Sequence, residues 1–296
     1  MATRNVSTAE EFIRAFKLSQ TDDTIEVLAD LDWNDIVDDI TSTIRLGDST
    51  SSKNNVTING NNHAFYNMTS GRITGSTATI FSINNSTGFK VVNLSFLNCN
   101  MRGRTTYIFF GDTSSEMTIT NAVIQGTFKN GMFRGSSTNC IVKNSMVTID
   151  YSDGTPIKPP AGNLKWEYCW FRFSDLCFYT PSGNVAWAQN LNGCYLEGKL
   201  EYAISTLNPT LMTSVNNSCI NLVIHSVHQP AIDTLIQPGG ISGGTQSCNI
   251  INIEKINTDD GHELTEENST TWNKCVTDEH MKNATYLATI GFDIIP

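Results

Sequence analysis

Between Thr24 and Trp33 the chain alternates, with Ile25, Val27, Ala29, Leu31 and Trp33 set among Thr24, Glu26, Asp30 and Asp32. A period of two over that length predicts a β-strand with one buried face. Just upstream the spacing changes. Phe12, Ile13, Phe16 and Leu18 recur at near-helical intervals after Ser7-Thr8-Ala9-Glu10, which has the Ser-x-x-Glu form of a capping box. That combination predicts a short amphipathic helix ending near Gln20. A helix followed by such a strand suits the open end of a stack of strands, where core side chains would otherwise meet water.

Further along, one pattern repeats: apolar-x-apolar-x-Asn. It appears as Phe89-Val91-Asn93, Met117-Ile119-Asn121 and Cys140-Val142-Asn144, then more loosely as Leu164-Trp166-Tyr168 and Val185-Trp187-Gln189. Successive copies start 28, 23, 24 and 21 residues apart. Val56-Thr57-Ile58-Asn59-Gly60 precedes them, and Cys219-Ile220-Asn221-Leu222-Val223 and Cys248-Asn249-Ile250-Ile251-Asn252 follow. Periods of this size mark solenoids, propellers or arrays. Recurrent Leu at fixed offsets, the mark of a leucine-rich repeat, is missing, and a propeller blade needs roughly 40 residues or more. Short strand runs broken by Asn or Gly fit three strands per turn of a parallel β-helix. In such a stack Asn side chains can hydrogen-bond from one coil to the next and to the backbone of tight bends.

Composition agrees with the pattern. Of 296 residues 39% are hydrophobic, enough for a core, and only 16% are charged. The 31 Asn residues supply much of the missing polarity, and Asn is poor in helices but tolerant of left-handed turns. The net charge of −10, with 19 Lys and Arg spread without a run, argues against nucleic acid and against anionic membrane surfaces. No apolar stretch approaches the roughly 18 residues of a spanning helix, so membrane insertion is not expected. The eight cysteines, at 99, 140, 169, 177, 194, 219, 248 and 275, form no C-x-x-C pair. Several sit within apolar strands, and we read them as buried, reduced thiols that act as small hydrophobes, with no metal site and no cofactor.

Here a family resemblance enters. The run Val56-Thr57-Ile58-Asn59-Gly60-Asn61-Asn62-His63, the Asn after each apolar-x-apolar triplet, and the helix-then-strand opening resemble the pectate-lyase-like superfamily of right-handed parallel β-helices. The likeness spans about Asp22 to Asn257. It implies an all-β, right-handed, single-stranded parallel β-helix with an N-terminal capping α-helix: residues 1–21 as the helical cap, 22–257 as the β-helix, and 258–296 as a C-terminal cap or docking segment. The superfamily holds lyases, glycoside hydrolases, adhesins and phage spikes, and a fold does not choose among them.

Cleavage of a polysaccharide would need acids recurring at one coil offset. A hydrolase needs two carboxylates about 5–9.5 Å apart; a lyase of this superfamily would use a calcium site of clustered acids with a basic residue. The run Asn257-Thr258-Asp259-Asp260-Gly261-His262 resembles the Asn-Thr-Asp and paired-Asp motifs of polygalacturonase-like hydrolases, but it compresses into one stretch what that family spreads over several coils. We read it as a solvated acidic loop. Asp22-Asp23, Asp38-Asp39 and Asp150-Tyr151-Ser152-Asp153 read as turns and loops. The best pair is Asp175 and Glu197, separated by about one coil. His225 and His228 are three apart, the wrong offset for one strand face.

Aromatics are concentrated: ten of 27 fall between 166 and 202. A coil interior cannot hold them all, so Trp166, Trp170, Trp187 and Tyr195 are expected to include outward rings that meet a sugar or another subunit. With acids sparse along the coils and no export segment after Met1, the expectation is a non-enzymatic virion protein of a bacteriophage, made in the host cytoplasm and released by lysis. Spike, head fibre and capsid decoration are the candidate positions. Its expected partners are other virion proteins, copies of itself in a homotrimer, and a cell-surface polysaccharide. The alternatives are a polysaccharide depolymerase, with Asp175 and Glu197 as its acids, and a bacterial surface adhesin.

Overall fold

The computed structural model describes residues 1–36, 40, 42–48, 51–69, 79–83, 85–101, 107–110, 116–128, 133–134, 140–150, 164–180, 189–192, 194–204, 214–216, 219–226, 246–247 and 250–255. The described chain is mostly β, its strands pair in parallel, it holds one α-helix, and no described sheet closes into a barrel. It divides into two compact units, one from Met1 to Met146 and one holding the described strands from Lys165 onwards.

In the first unit the chain visits three sheets in turn. The first sheet runs Thr3–Val6, Thr24–Val27, Thr57–Asn59, Phe89–Val92, Met117–Thr120, Cys140–Lys143. The second runs Leu31–Asp32, Ala64–Tyr66, Ser95–Met101, Val123–Phe128, and the third Ile44–Arg45, Thr79–Ser82, Tyr107–Phe110, Phe133–Arg134. Each pass through the three is one round. Register in the first sheet gives the length of successive rounds. Thr24 lies opposite Thr57, Thr57 opposite Lys90, Lys90 opposite Thr118 and Thr118 opposite Ile141. The first two of these rounds are equal in length, and the next two are successively shorter.

The apolar residues of the repeat face a shared core. Ile25, Ile58, Val91, Ile119 and Val142 follow one another in register and are buried. Rings from all three sheets meet: Phe109 of the third sheet lies 5.7 Å from Phe89 of the first and 6.0 Å from Phe96 of the second. The same rings continue along the stack, Phe65 to Phe96 at 5.6 Å and Phe81 to Phe109 at 5.4 Å. Fully burying such a side chain contributes about 1.5–3 kcal/mol, so this aromatic column is the main apolar support of the unit.

The helix Ala9–Leu18 closes one end of that column. Phe12 and Phe16 are fully buried; Phe12 sits 4.7 Å from Phe65 and 5.4 Å from Phe81, and Phe16 sits 5.0 Å from Phe81. The expected capping box is shifted by one residue. Thr8, not Ser7, is the N-cap and accepts from the Glu11 N–H, while the Glu11 carboxylate accepts from the Ser7 N–H. Two further expectations change. A strand, Thr3–Val6, precedes the helix and begins the first sheet, so the segment 1–21 is more than a helical cap. The alternating run from Thr24 is two strands in different sheets, parted by a corner at 28–30 where Leu28 is 49% exposed.

Asn takes the corners. Asn93, Asn121 and Asn144 have φ of 53, 57 and 48°, the left-handed region in which a Cβ normally clashes and which Asn enters most readily after Gly. Their amides link rounds: the Asn121 side chain donates to Asn93 Oδ1 at 2.9 Å, and Asn67 donates to Asp32 Oδ1 at 2.9 Å and accepts from Asn98. Gly60, after Asn59, is required for another reason. A Cβ there would collide with the Asn93 carbonyl and the Leu94 backbone of the next round.

Candidate functional site

In the second unit two sheets are described. One holds Leu164–Glu167, Gln189–Asn192, Ser214–Asn216 and Gln246–Ser247; the other holds Trp170–Thr180, Tyr195–Ile204, Cys219–Ser226 and Ile250–Lys255. The expected aromatic surface lies on these strands, and register decides which of its members meet.

Trp166 occupies the second apolar position of the repeat, where Val91, Ile119 and Val142 are buried, and it is itself only 7% exposed. It is therefore a core residue and not an outward ring. Trp170 is half-buried and opens the strand Trp170–Thr180. Between them Tyr168, at the Asn position of the repeat, turns with φ 54°, so the two indoles belong to different sheets. Tyr195 opens the neighbouring strand and is the register partner of Trp170. Trp187 lies outside the described residues. Of the four aromatics, then, Trp170 and Tyr195 are brought together.

The two acids are not. Glu197 is opposite Arg172, while Asp175 falls in the irregularity between Phe173 and Leu176, past which Leu176 is opposite Leu200. Asp175 and Glu197 are closer in sequence than either of these facing pairs, so they do not stack. Glu197 belongs instead to the register row Arg172, Glu197, Asn221, Asn252. The flanking rows are Phe171, Leu196, Ile220, Ile251 and Phe173, Gly198, Leu222, Ile253. His225, in the strand Cys219–Ser226, is opposite Glu201; His228, Asp38, Asp39, Asp153, the run 257–262 and the segment 258–296 lie outside the described residues. The later copies of the repeat also change sheet. Cys219–Ser226 pairs with the strand of Tyr195, and Ile250–Lys255 pairs with Cys219–Ser226, so neither continues the Asn-bearing sheet.

Two features escaped the pattern reading. The first is a buried residue directly after each corner of the first unit, Leu94, Ala122 and Ser145, and, in the second unit, buried Cys169 directly after Tyr168, with Cys194 also buried. Cys194 donates to the Trp166 carbonyl at 3.3 Å and Cys169 to that of Glu167 at 3.4 Å, so these thiols serve the backbone. Cys99, Cys140, Cys169 and Cys194 are all buried, and burial pushes the Cys99 thiol up to about 12, which leaves it protonated and unreactive near neutrality. The second is Asp23, read as a turn residue but only 2% exposed. It accepts from the Ala2 N–H at 2.6 Å, the Gln20 N–H at 3.0 Å and Arg4 Nη2 at 3.1 Å. Doubled acids outside a strand's alternation gave the only hint of it.

Compared with known proteins, the chain matches no family model and no curated protein. Among solved structures it is similar to a Bacteroides ovatus protein described as a candidate immunoglobulin A1 protease, at 12% identity and a TM-score of 0.44, over 88% of this chain and 78% of that one. A likeness of that size carries no argument about activity.

Proposed function

We propose that the chain is a right-handed parallel β-helix serving as a non-enzymatic structural or attachment protein of a bacteriophage particle, at a spike, head fibre or capsid-decoration position, and offering a stiff surface to host glycan. The observation that carries this reading is the in-register repetition of the first unit, in which three parallel sheets enclose one aromatic column with amide ladders at the corners. The described interior of that unit is mainly apolar and rich in packed aromatic rings, which suits a scaffold. Trp170 and Tyr195, in register on neighbouring strands, supply the kind of aromatic pair on which a sugar ring or a neighbouring copy of the chain stacks. Asp175 and Glu197, the best acid pair the coils offered, are not register partners, so the register adds no support for a depolymerase.

The reading predicts that the chain is found by mass spectrometry in density-purified particles from the culture that makes it. It further predicts that the purified protein binds cell-surface polysaccharide without releasing reducing ends or unsaturated sugars, and that Trp170→Ala weakens this binding at least tenfold. Absence from particles overturns the virion assignment. Appearance of sugar products overturns the non-enzymatic one. Light scattering tests the expected homotrimer.

A further inference from the structure

The first round is joined to its neighbours differently from the rounds that follow. Asp22 accepts from the Asn55 amide at 2.9 Å, Glu26 from Asn59 and Asn61 at 2.9 and 2.8 Å, Asp30 from the Ala64 N–H at 2.9 Å, and Asp32 from Asn67 at 2.9 Å. Side-chain bonds between later rounds include neutral acceptors: Asn93 Oδ1 for Asn121, Ser95 Oγ for the Val123 N–H and Ser145 Oγ for the Ala122 N–H. Asp23 goes further, since its carboxylate ties the strand Thr3–Val6, the end of the helix and the strand Thr24–Val27 together. Arg4 extends the brace by donating to the Leu18 carbonyl at 3.0 Å.

We propose that Asp23 is an acid-sensitive latch: its protonation frees the strand Thr3–Val6 and the helix Ala9–Leu18 as a unit and uncovers the aromatic end of the core, while the later rounds stay closed. The charged groups that face Asp23 are Arg4, at 3.1 Å, and the amino group of Met1, at 3.9 Å. The helix contributes the Gln20 N–H beyond its end, and Asp22 and Glu26 on either side in sequence are turned to the amides of the next round. A neutral Asp23 would leave the guanidinium against an uncharged buried partner and strip the charge from three hydrogen bonds at once.

The direction in pH follows. Burial alone would raise the Asp23 pKa, but the Gln20 and Ala2 N–H groups and Arg4 outweigh it and hold the carboxyl below its ordinary 3.8. The latch is therefore fully engaged above that value and lost as the pH falls through the lower folded-state value. On release Phe12 and Phe16, now fully buried, would meet solvent.

Hydrogen exchange followed by mass spectrometry, on the full chain incubated at steps from pH 7 down to pH 2 and corrected for intrinsic rates, tests this. The expected result is loss of protection in residues 3–18 at a higher pH than in 117–120, together with binding of a dye that reports exposed apolar surface. At pH 7, Asp23→Asn should reproduce the same regional loss with 117–120 still protected. Simultaneous loss in both regions of the wild-type chain overturns the latch, as does Asp23→Asn with unchanged helix protection. If the variant does not fold, the wild-type titration alone decides.

Discussion

The corners of the first unit and the corner at Tyr168 have one geometry and different chemistry. Asn93, Asn121 and Asn144 turn at φ 53, 57 and 48°, and Tyr168 turns at 54°. Before each corner stands a buried residue, Val91, Ile119 or Val142 in the first unit and Trp166 in the second; after it comes another, Leu94, Ala122, Ser145 or Cys169. The backbone demand is thus constant while the side chains that meet it vary. For Asn the left-handed region is cheap, because its short amide is accommodated and finds partners in the next round. A bulky residue there is a true outlier, and such outliers persist where the surroundings or a function hold them.

The largest test of this comparison concerns the position before the corner. If Trp166 fills the interior as Val142 does, Trp166→Ala should cost about 3–5 kcal/mol in urea unfolding, the range for large-to-small changes in a packed core. A cost of about 0.5 kcal/mol or less, as for an exposed residue, would return the indole to the surface and break the parallel between the units.

The corner itself comes next. Asn121→Ala puts a residue without an amide into the left-handed region and removes the bond to Asn93, so a loss of about 1–2 kcal/mol is expected. Asn121→Gly should recover the backbone part and not the amide rung, landing between Ala and wild type. If Ala and Gly behave alike, the cost lies in the ladder and not in the backbone.

These positions also show what was legible in the sequence. Parallel strands and the interior positions of the first unit could be read because rounds there stack in register and the Asn corner recurs visibly. The helix could be read from its spacing, though Thr8 and Ser7 are both competent caps and only geometry separates them. The strand Thr3–Val6 could not, since its four residues bury only Val6 and leave no alternation to detect. Trp166 and Trp170 share a strand face only if the chain runs straight through Tyr168; Tyr168 stands at the Asn position of the repeat, and its φ of 54° is the turn that resets the count. Asp175 and Glu197 looked stacked because a separation of about one coil was taken for register, whereas the facing pairs Arg172–Glu197 and Leu176–Leu200 both lie further apart in sequence. Asp23 was missed because two of its three donors, Ala2 and Arg4, come from the distant start of the chain, and only Gln20 is local.

The smallest effect is the most informative about function. Replacing Tyr168 by the residue of the other corners, Tyr168→Asn, should relieve the left-handed strain and raise stability by up to about 1 kcal/mol. A loss of stability would mean that contacts of the phenol ring exceed the backbone cost, and the corner would then be a packing solution like any other. A gain is the outcome that matters, because it would mean that a better corner residue was available and not used. Tyr168 is half-exposed and lies two residues from Trp170, the aromatic that register joins to Tyr195. Measured on the same variant, a higher unfolding midpoint together with weaker retention on cell-surface polysaccharide would tie the strained corner to glycan contact. A higher midpoint with unchanged retention would confine the glycan surface to Trp170 and Tyr195.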